Sequence, residues 1–349
     1  MIDLKKIVRK NILNLSPYSS ARNEFKGTAE VFLDANENPF GELNRYPDPQ
    51  QRIIKEKLSE IKKVNENQIF VGNGSDEVID LAFRIFCEPG KDKALTFSPT
   101  YGMYNVSANI NNVNLIELPL KDNFQININQ LESYLNDESL KIIFICSPNN
   151  PTGNNITIND IEFILKRFKG IVIVDEAYID FSSQSSLIKK ISDYNNLIIC
   201  QTFSKAWGLA AVRVGVAYAN SKIIEFFNKV KPPYNVSSLN QNAVIETLKN
   251  IKKIDKKINI IISERQRLKE RLASFKNVNK IYPSEANFLL INVDNAIKLY
   301  EYLIQNKVII RNRNSQIKNC IRVTVGTVQE NEKLINALKK YNEESIIYR

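Results

Sequence analysis

The stretch Ile171-Val172-Ile173-Val174-Asp175-Glu176-Ala177-Tyr178 decides the fold of this chain. Its first four residues are all apolar, which is typical of a strand that is buried on both faces of a parallel sheet. A carboxylate, Asp175, ends the strand, and a phenol, Tyr178, follows three positions later. Because ligands bind beyond the carboxyl ends of parallel strands, we expect both side chains to face a binding site.

Similar short apolar runs recur on both sides of this strand. They predict strands at 68–71, 93–97, 114–118, 141–146, 171–175, 197–201 and 214–218. Helical spacing of apolar residues predicts helices near 75–87, 101–110, 157–168 and 221–230. This alternation predicts an α/β fold with a mostly parallel central sheet between helices.

The rest of the chain predicts three parts around that sheet. Residues 1–30 form an N-terminal arm, residues 31–240 a large domain and residues 241–349 a smaller α+β domain. One long helical pattern, 236–274, links the two domains. Strands at 287–292, 308–310 and 321–325 and helices near 294–305 and 329–341 follow it.

Composition excludes several classes of function. The chain has no histidine, so every mechanism that needs an imidazole base, nucleophile or metal ligand is excluded. The net charge is +10, but the basic residues form no tract, so we expect no nucleic-acid partner. No apolar run is long enough for a membrane span. The four cysteines are far apart, which predicts no metal site and free thiols in the cytoplasm.

Polar residues follow three other predicted strands. Gly72-Asn73-Gly74-Ser75-Asp76 leads into a helix that begins near Ser75, where free backbone amides could bind an anion or a plain turn could suffice. Tyr101 follows the strand at 93–97, where core packing is the alternative. Asn150 lies in the proline-rich turn Ser147-Pro148-Asn149-Asn150-Pro151-Thr152-Gly153.

The segment Thr202-Phe203-Ser204-Lys205-Ala206-Trp207-Gly208-Leu209-Ala210-Ala211-Val212-Arg213-Val214-Gly215 follows the strand at 197–201. It places Lys205 between hydroxyl residues and Arg213, which could bind a phosphate. Asp175 needs a cationic partner at its buried position, either a structural salt bridge or a protonated pyridine nitrogen. Together these residues suggest a pyridoxal phosphate site.

Four of these motifs carry a resemblance to a known family. Asn150-Pro151-Thr152-Gly153, Asp175-Glu176-Ala177-Tyr178, Ser204-Lys205 and Arg213 resemble the fold type I pyridoxal-phosphate aminotransferases. Within that family, further segments from about Tyr18 to Gly326 resemble the histidinol-phosphate aminotransferases. They are Asp34-Ala35-Asn36-Glu37-Asn38-Pro39, Asn44-Arg45-Tyr46-Pro47 and Pro99-Thr100-Tyr101-Gly102-Met103-Tyr104. Trp207 and Ala211 differ from the Phe and Gly that are commoner in the lysine segment.

The resemblance implies roles for the residues around the cofactor. Lys205 would form the Schiff base and act as the base, and Asp175 would keep the pyridine nitrogen protonated. Tyr178 and Asn150 would hydrogen-bond the cofactor's phenolate oxygen, and Tyr101 would stack on its ring. The phosphate would be held by Ser75, Asp76, Thr202, Ser204 and Arg213.

The resemblance also implies a substrate and a homodimer. Tyr46 would reach the phosphate of the neighbouring subunit, so the active sites would be shared. Arg322 would bind the phosphate of histidinol phosphate or the carboxylate of glutamate, beside Tyr18, Asn36 and Asn287. The implied reaction is L-histidinol phosphate plus 2-oxoglutarate to imidazole-acetol phosphate plus glutamate, a step of histidine biosynthesis.

Three alternatives remain open from the sequence. An aromatic or broad-range aminotransferase and a threonine-phosphate decarboxylase would use the same cofactor residues. A ligand-sensing regulator built on this fold would need an appended DNA-binding module, for which the residues before the motifs leave little room.

Overall fold

The computed structural model describes residues 3–18 and 30–347, and its larger sheet has seven strands. They are β1 (Ile69–Gly72), β2 (Lys93–Ser98), β3 (Asn114–Pro119), β4 (Leu140–Cys146), β5 (Ile171–Asp175), β6 (Leu197–Thr202) and β7 (Gly215–Ala219). Their spatial order is β1-β7-β6-β5-β4-β2-β3. Strands β2 to β6 pair in parallel, and β7 runs antiparallel to both β1 and β6. The predicted α/β fold and mostly parallel sheet are confirmed, and each predicted strand lies close to its place.

Helices cover both faces of this sheet, and those near the C-terminal end of the described residues pack on the smaller sheet instead. They are α1 (Leu4–Ile7), α2 (Lys10–Leu13), α3 (Arg52–Lys62), α4 (Ser75–Phe86), α5 (Met103–Ile110), α6 (Ile128–Glu132), α7 (Ile158–Arg167), α8 (Ser221–Val230), α9 (Ser238–Leu248), α10 (Ile251–Ala273), α11 (Ala296–Gln305) and α12 (Val328–Ile347). Val172 and Val174 of β5 pack into one core, and Ile171 and Ile173 pack into the core on the opposite face. The uninterrupted apolar run therefore reflects burial on both faces.

The smaller sheet is antiparallel throughout. It contains β8 (Val278–Ile281), β9 (Phe288–Val293), β10 (Arg311–Asn312) and β11 (Cys320–Thr324), in the order β10-β11-β9-β8. The predicted strand at 308–310 is wrong, because Val308 and Ile310 pack against the apolar core and pairing starts only at Arg311. Strand β8 was not predicted, because one asparagine and one lysine occupy two of its four positions.

The single helix predicted over 236–274 is also wrong. The structure has two helices there, α9 and α10, which meet at Lys249 and Asn250. Asn250 adopts a non-helical backbone, and its side-chain amide donates to the carbonyl oxygen of Glu246 at 3.3 Å. An asparagine that competes for backbone groups in this way ends one helix and begins the next.

The first part of the predicted arm packs on the large sheet. Ile7, Val8 and Ile12 are buried in the core that contains α4 and α8, and the backbone nitrogen of Arg9 donates to the carbonyl oxygen of Ile85 at 3.0 Å. Residues 19–29 of the predicted arm lie outside the described residues. The domain boundaries at 30 and 240 stay predictions. Within the described parts of the chain, no helix has the length and apolar character needed to cross a membrane.

Candidate active site

A cavity of about 640 Å³ opens where β2, β4, β5 and β6 end. Most of the predicted site residues line it, although they come from widely separated parts of the chain. These are Ser75, Asp76, Tyr101, Asn150, Asp175, Tyr178, Thr202, Ser204, Lys205, Arg213 and Arg322. The carboxyl edge of the parallel strands thus brings together one candidate site.

Asp175 is the last residue of β5 and is 3% exposed. Its Oδ2 accepts a hydrogen bond from the phenol of Tyr104 at 2.8 Å, and its Oδ1 accepts one from the backbone nitrogen of Ala177 at 3.1 Å. Burial raises the pKa of Asp175 to about 6, although both hydrogen bonds act in the opposite direction. In the described part of the chain no lysine or arginine forms a salt bridge with it, so a cationic ligand would suit this position.

Lys205 lies in the loop that follows β6, and its side chain lines the cavity. Its Nζ is 5.9 Å from the centre of the Tyr178 ring. Partial burial, and then the positive charge of Arg322, lower the pKa of Lys205. No carboxylate among the described residues forms a salt bridge with it. A lysine in such surroundings loses its proton more easily and can act as a nucleophile or a base.

Tyr178 and Asn150 form the wall beside Lys205. The Asn150 amide nitrogen donates to the Tyr178 oxygen at 3.4 Å, and the Arg322 guanidinium donates to the amide oxygen of Asn150. Burial raises the pKa of Tyr178, so its phenol keeps its proton and can donate it in a hydrogen bond. The turn that carries Asn150 therefore aims its amide inward, as predicted.

The start of α4 forms one corner of the cavity. Arg213 donates to Asp76 at 3.2 Å and to the Ser204 hydroxyl at 3.4 Å. A Cβ on Gly215 would lie 2.2 Å from the backbone nitrogen of Ser75, so this glycine lets β7 lie directly against the helix start. The first backbone N–H groups of a helix have no partner within the helix and attract anions.

Three arginines form a second cationic group in the cavity. Arg311 and Arg313 line it together with Arg322, and β10 pairs with β11 so that Arg311 lies opposite Arg322. The Nε atoms of Arg313 and Arg322 are buried without a hydrogen-bond partner among the described residues. Burial, then the charges of Arg322 and Arg311, lower the pKa of Arg313 to about 10. Such a group needs an anion.

Three residues at or next to this cavity were missed by the sequence reasoning: Arg311, Arg313 and Tyr104. Arg311 and Arg313 are two residues apart, and that spacing in an extended segment could have indicated that they share a face. Tyr104, the partner of Asp175, lies one helical turn after Tyr101 and is fully buried. That spacing could have indicated that both rings lie at the same end of α5.

Four predicted residues do not line the cavity within one chain. Tyr46 is 49% exposed and stacks on Tyr234 with ring centres 4.3 Å apart. It lines a separate surface groove with Asn36. Tyr18 is 71% exposed. The backbone oxygen of Asn287 accepts a hydrogen bond from the backbone nitrogen of Val325. The predicted role of Tyr46 concerns a neighbouring subunit, so a single chain leaves it a prediction.

The residues present fit pyridoxal phosphate. The helix start at Ser75, the Ser204 hydroxyl and Arg213 suit its phosphate, and the buried carboxylate of Asp175, which has no salt bridge among the described residues, suits its ring nitrogen. Lys205 lines the same cavity as these two groups of residues and lies near the ring of Tyr178. The donor set therefore matches both charged ends of the cofactor.

Comparisons with known proteins point the same way. Residues 10–338 match the family described as Aminotransferase class I and II. The histidinol-phosphate aminotransferase of Christiangramia forsetii is 50% identical over 347 residues, which cover 98% of this chain and 99% of that protein. The crystal structure of the histidinol-phosphate aminotransferase from Clostridium acetobutylicum is similar with a TM-score of 0.80 and 26% identity, over 86% of this chain and 92% of that one.

A second solved structure adds the cofactor to the comparison. Histidinol-phosphate aminotransferase from Sinorhizobium meliloti, in complex with pyridoxal-5'-phosphate, is similar with a TM-score of 0.79 and 22% identity. The similarity covers 86% of this chain and 83% of that one. At this identity it supports the fold.

Proposed function

Because the chain belongs to the class I and II aminotransferase family, we propose that it transfers the amino group of L-histidinol phosphate to 2-oxoglutarate. The products are imidazole-acetol phosphate and glutamate, and the cofactor is pyridoxal phosphate. The similarity to a protein of this name over nearly the whole length of both chains supports the substrate.

The observation that carries this proposal is that one cavity contains two cationic groups. Arg213 contacts Asp76 and Ser204 at the start of α4, which suits the phosphate of the cofactor. Arg322 contacts Asn150 beside Arg311 and Arg313, which suits the anionic end of a substrate. An amino donor with a phosphate and an acceptor with a second carboxylate can use the same arginines in turn.

Lys205 and its neighbours supply the protein's part of the reaction. When bound, pyridoxal phosphate would supply the electron sink that stabilises the negative charge left on the substrate carbon after its proton is removed. Asp175 keeps a proton on the ring nitrogen, and Lys205 Nζ moves the proton at the substrate carbon. Its lowered pKa favours the neutral amine that this transfer requires. Tyr178 and Asn150 orient the ring oxygen beside Lys205.

The remaining cavity residues position the cofactor. Tyr101 would stack on the cofactor ring, and its phenol donates to Asp76 at 3.2 Å, which fixes the tyrosine against the helix start. The hydroxyl of Thr202 accepts from the backbone nitrogen of Ser204 at 3.1 Å and so shapes the loop before Lys205. Both contacts hold side chains that line the cavity where the cofactor phosphate is proposed to bind.

The proposed enzyme is a homodimer with shared active sites. Tyr46 and Asn36 lie in the same exposed groove, and Phe40 and Leu43, close by in sequence, are also exposed. A partner subunit would cover these apolar side chains and receive Tyr46 at its cofactor phosphate. Tyr18, Asn36 and Asn287 are proposed to complete the substrate pocket in the dimer.

The proposed place of action is the cytoplasm. All four cysteines, Cys87, Cys146, Cys200 and Cys320, are buried as free thiols. Free thiols are the usual state in a reducing compartment.

The decisive experiment compares amino donors in a single half-reaction. The purified enzyme, loaded with pyridoxal phosphate, is mixed separately with histidinol phosphate, phenylalanine, tyrosine and threonine phosphate, and conversion of the bound cofactor to its amine form is followed by absorbance. We expect histidinol phosphate to be converted most efficiently. Preference for an aromatic amino acid, or carbon dioxide release from threonine phosphate, would instead support one of the two enzymatic alternatives.

The matched control for this assay is Lys205→Ala. Without the amine of Lys205 the cofactor cannot be covalently attached, so its absorbance should resemble that of an unattached aldehyde and conversion should stop. Lys222→Ala, a change at an exposed lysine in α8, should behave like the wild type.

A further inference from the structure

The loop that carries Lys205 is closed by its own backbone. Gly208 nitrogen donates to the carbonyl oxygen of Lys205 at 3.2 Å, and Leu209 nitrogen donates to the carbonyl oxygen of Phe203 at 3.0 Å. These bonds fix the shape of the loop. They do not fix its direction relative to the opposite wall of the cavity, which depends on contacts that leave the loop.

Trp207 makes such a contact. Its indole nitrogen donates to Oδ2 of Asp180 at 3.2 Å. Asp180 lies two residues after Tyr178, in the 3₁₀ turn Ile179–Phe181. One hydrogen bond therefore joins the segment that carries Lys205 to the segment that carries Tyr178.

The carboxylate of Asp180 is itself held in place. Its other oxygen, Oδ1, lies 3.7 Å from Nζ of Lys62 at the end of α3, and both side chains are mostly buried. Because each oxygen has a different partner, the carboxylate has a defined orientation towards the indole. A hydrogen bond to a charged acceptor is also stronger than one between neutral groups.

Packing alone does not require the indole nitrogen. The Trp207 ring lies 5.2 Å from the Phe203 ring and packs against the cluster that contains Tyr178, Ala206 and Ile254. A phenylalanine could fill much of the same space, but it has no N–H group for Asp180. The contact to Asp180 is thus separable from the apolar packing by a single substitution.

We propose that Trp207 is a positioning residue whose hydrogen bond to Asp180 holds the Lys205 loop in register with Tyr178. Its catalytic consequence rests on the proposed function. Lys205 Nζ lies 5.9 Å from the Tyr178 ring centre. A looser loop would spend less time in the reactive geometry, which lowers kcat more than it changes KM.

The first test uses fluorescence, because Trp207 is the only tryptophan of the chain. The emission of the full-length protein is recorded with and without pyridoxal phosphate for the wild type, Asp180→Ala and Asp122→Ala. We expect a shifted emission maximum in Asp180→Ala in both states, and none in Asp122→Ala, where an exposed carboxylate is removed. Wild-type emission from Asp180→Ala would overturn the contact.

The second test is a double-mutant cycle with Trp207→Phe and Asp180→Ala. We expect each single variant to lower kcat about tenfold with KM changed less than about twofold, and the double variant to lose no more than either single one. The pH at which the absorbance of the bound cofactor changes should shift in Trp207→Phe. Wild-type kcat and absorbance in Trp207→Phe, or additive losses in the double variant, would overturn the proposal.

Two choices keep this test decisive. If Asp180→Ala does not fold, Asp180→Leu, which is larger than Ala and has no hydrogen-bond acceptor, replaces it in the cycle, and the same coupling with Trp207→Phe is expected. The rate is measured with whichever amino donor the wild type converts best. Failure of histidinol phosphate as a donor would then overturn the proposed function, whereas independent effects of Trp207 and Asp180 would overturn this inference.

Discussion

The phenol of Tyr104 donates a 2.8 Å hydrogen bond to Oδ2 of Asp175, and both side chains are buried, with Asp175 lining the same cavity as Lys205. The Tyr104 ring stacks on Phe144 of β4 with centres 4.8 Å apart, so the donor is held rigidly. Burial raises the pKa of Asp175 and this bond lowers it in part. The pair thereby keeps a buried carboxylate ionised near neutral pH, as a protonated ring nitrogen requires.

Tyr104→Phe should raise the pKa of Asp175 above its present value of about 6, because it removes a hydrogen bond to the ionised form. Asp175 would then become protonated at a higher pH and lose its attraction for a protonated ring nitrogen. Affinity for pyridoxal phosphate should fall at low pH as Asp175 becomes protonated. We expect this acid limb of the pH profile to move upward by about one pH unit. Equilibrium binding of pyridoxal phosphate across the pH range measures it. Tyr218→Phe, which removes another buried phenol, should leave the limb in place.

Asp175→Asn should stabilise the cofactor-free protein while inactivating the enzyme. The folded pKa of about 6 lies above the ordinary value of 3.8, so the ionised carboxylate lowers stability progressively as the pH rises between them. The variant lacks this cost and should unfold with a free energy higher by about 1–3 kcal/mol near neutral pH. Below about pH 4 the gain should vanish, since the carboxyl is then neutral in both states. Urea unfolding at the two pH values checks this, and a gain that does not depend on pH would contradict it.

Lys55→Met should stabilise the protein at neutral pH. Lys55 is buried in α3, and burial followed by the charge of Lys231 lowers its pKa to about 8. The cost of the buried charge is complete below pH 8 and is relieved as the pH rises towards the ordinary value of 10.5. Removing the charge should add about 2 kcal/mol to the free energy of unfolding near neutral pH. Denaturant unfolding should show this gain shrinking in alkali. Lys252→Met, at an exposed lysine of α10, should show no such gain.

Arg322→Ala should raise KM for histidinol phosphate and for 2-oxoglutarate by about 10- to 100-fold, because both substrates would lose the same charged contact. Arg322→Lys should recover little of the loss, since an ammonium cannot reproduce the planar guanidinium that reaches Asn150 and lies 5.1 Å from the Phe288 ring. Steady-state kinetics with each substrate varied in turn provides the measurement. Arg9→Ala, which breaks a surface pair with Glu88, serves as the control. Unchanged KM values for both substrates would remove Arg322 from the site.

Mixing Tyr46→Phe subunits with Lys205→Ala subunits should give hybrid dimers that recover activity. Neither variant alone should be fully active. In a dimer with shared sites, one of the two hybrid sites would combine an intact Lys205 with an intact Tyr46. The control is Lys205→Ala reassembled with itself, which should stay inactive. Tandem tags isolate the hybrid, and a hybrid with no more than half the activity of the Tyr46→Phe dimer would indicate a site completed within one subunit.

The site residues that the sequence located lie at or just after the ends of apolar strands, which the sequence shows directly. Asp175 ends an apolar strand, and Lys205 follows the next strand in the sheet, so the topology of parallel strands brings them to one edge. Such positions depend on neighbours in sequence, which a pattern can show.

The residues that the sequence missed depend on contacts between distant segments. Tyr104 contacts Asp175 only because its ring packs on Phe144 of β4, the strand beside β5, and Arg311 meets Arg322 only through the pairing of β10 with β11. Helical periodicity likewise continued through Asn250, where a side-chain hydrogen bond ends α9. Spacing can indicate which residues share a face but not which distant residues they contact, so these contacts emerge only from the structure.

The antiparallel direction of β7 has a consequence for how this enzyme could be altered. Because β6 and β7 pair antiparallel through Thr202 and Gly215, Lys205, the proposed site of covalent cofactor attachment, and Arg213 both lie in the connection formed by residues 203–214. An insertion or deletion in residues 203–214 would change the distance between these two residues, which are both proposed to hold the cofactor. We expect the length of this connection, more than the identity of its exposed residues, to limit which redesigned loops still bind pyridoxal phosphate.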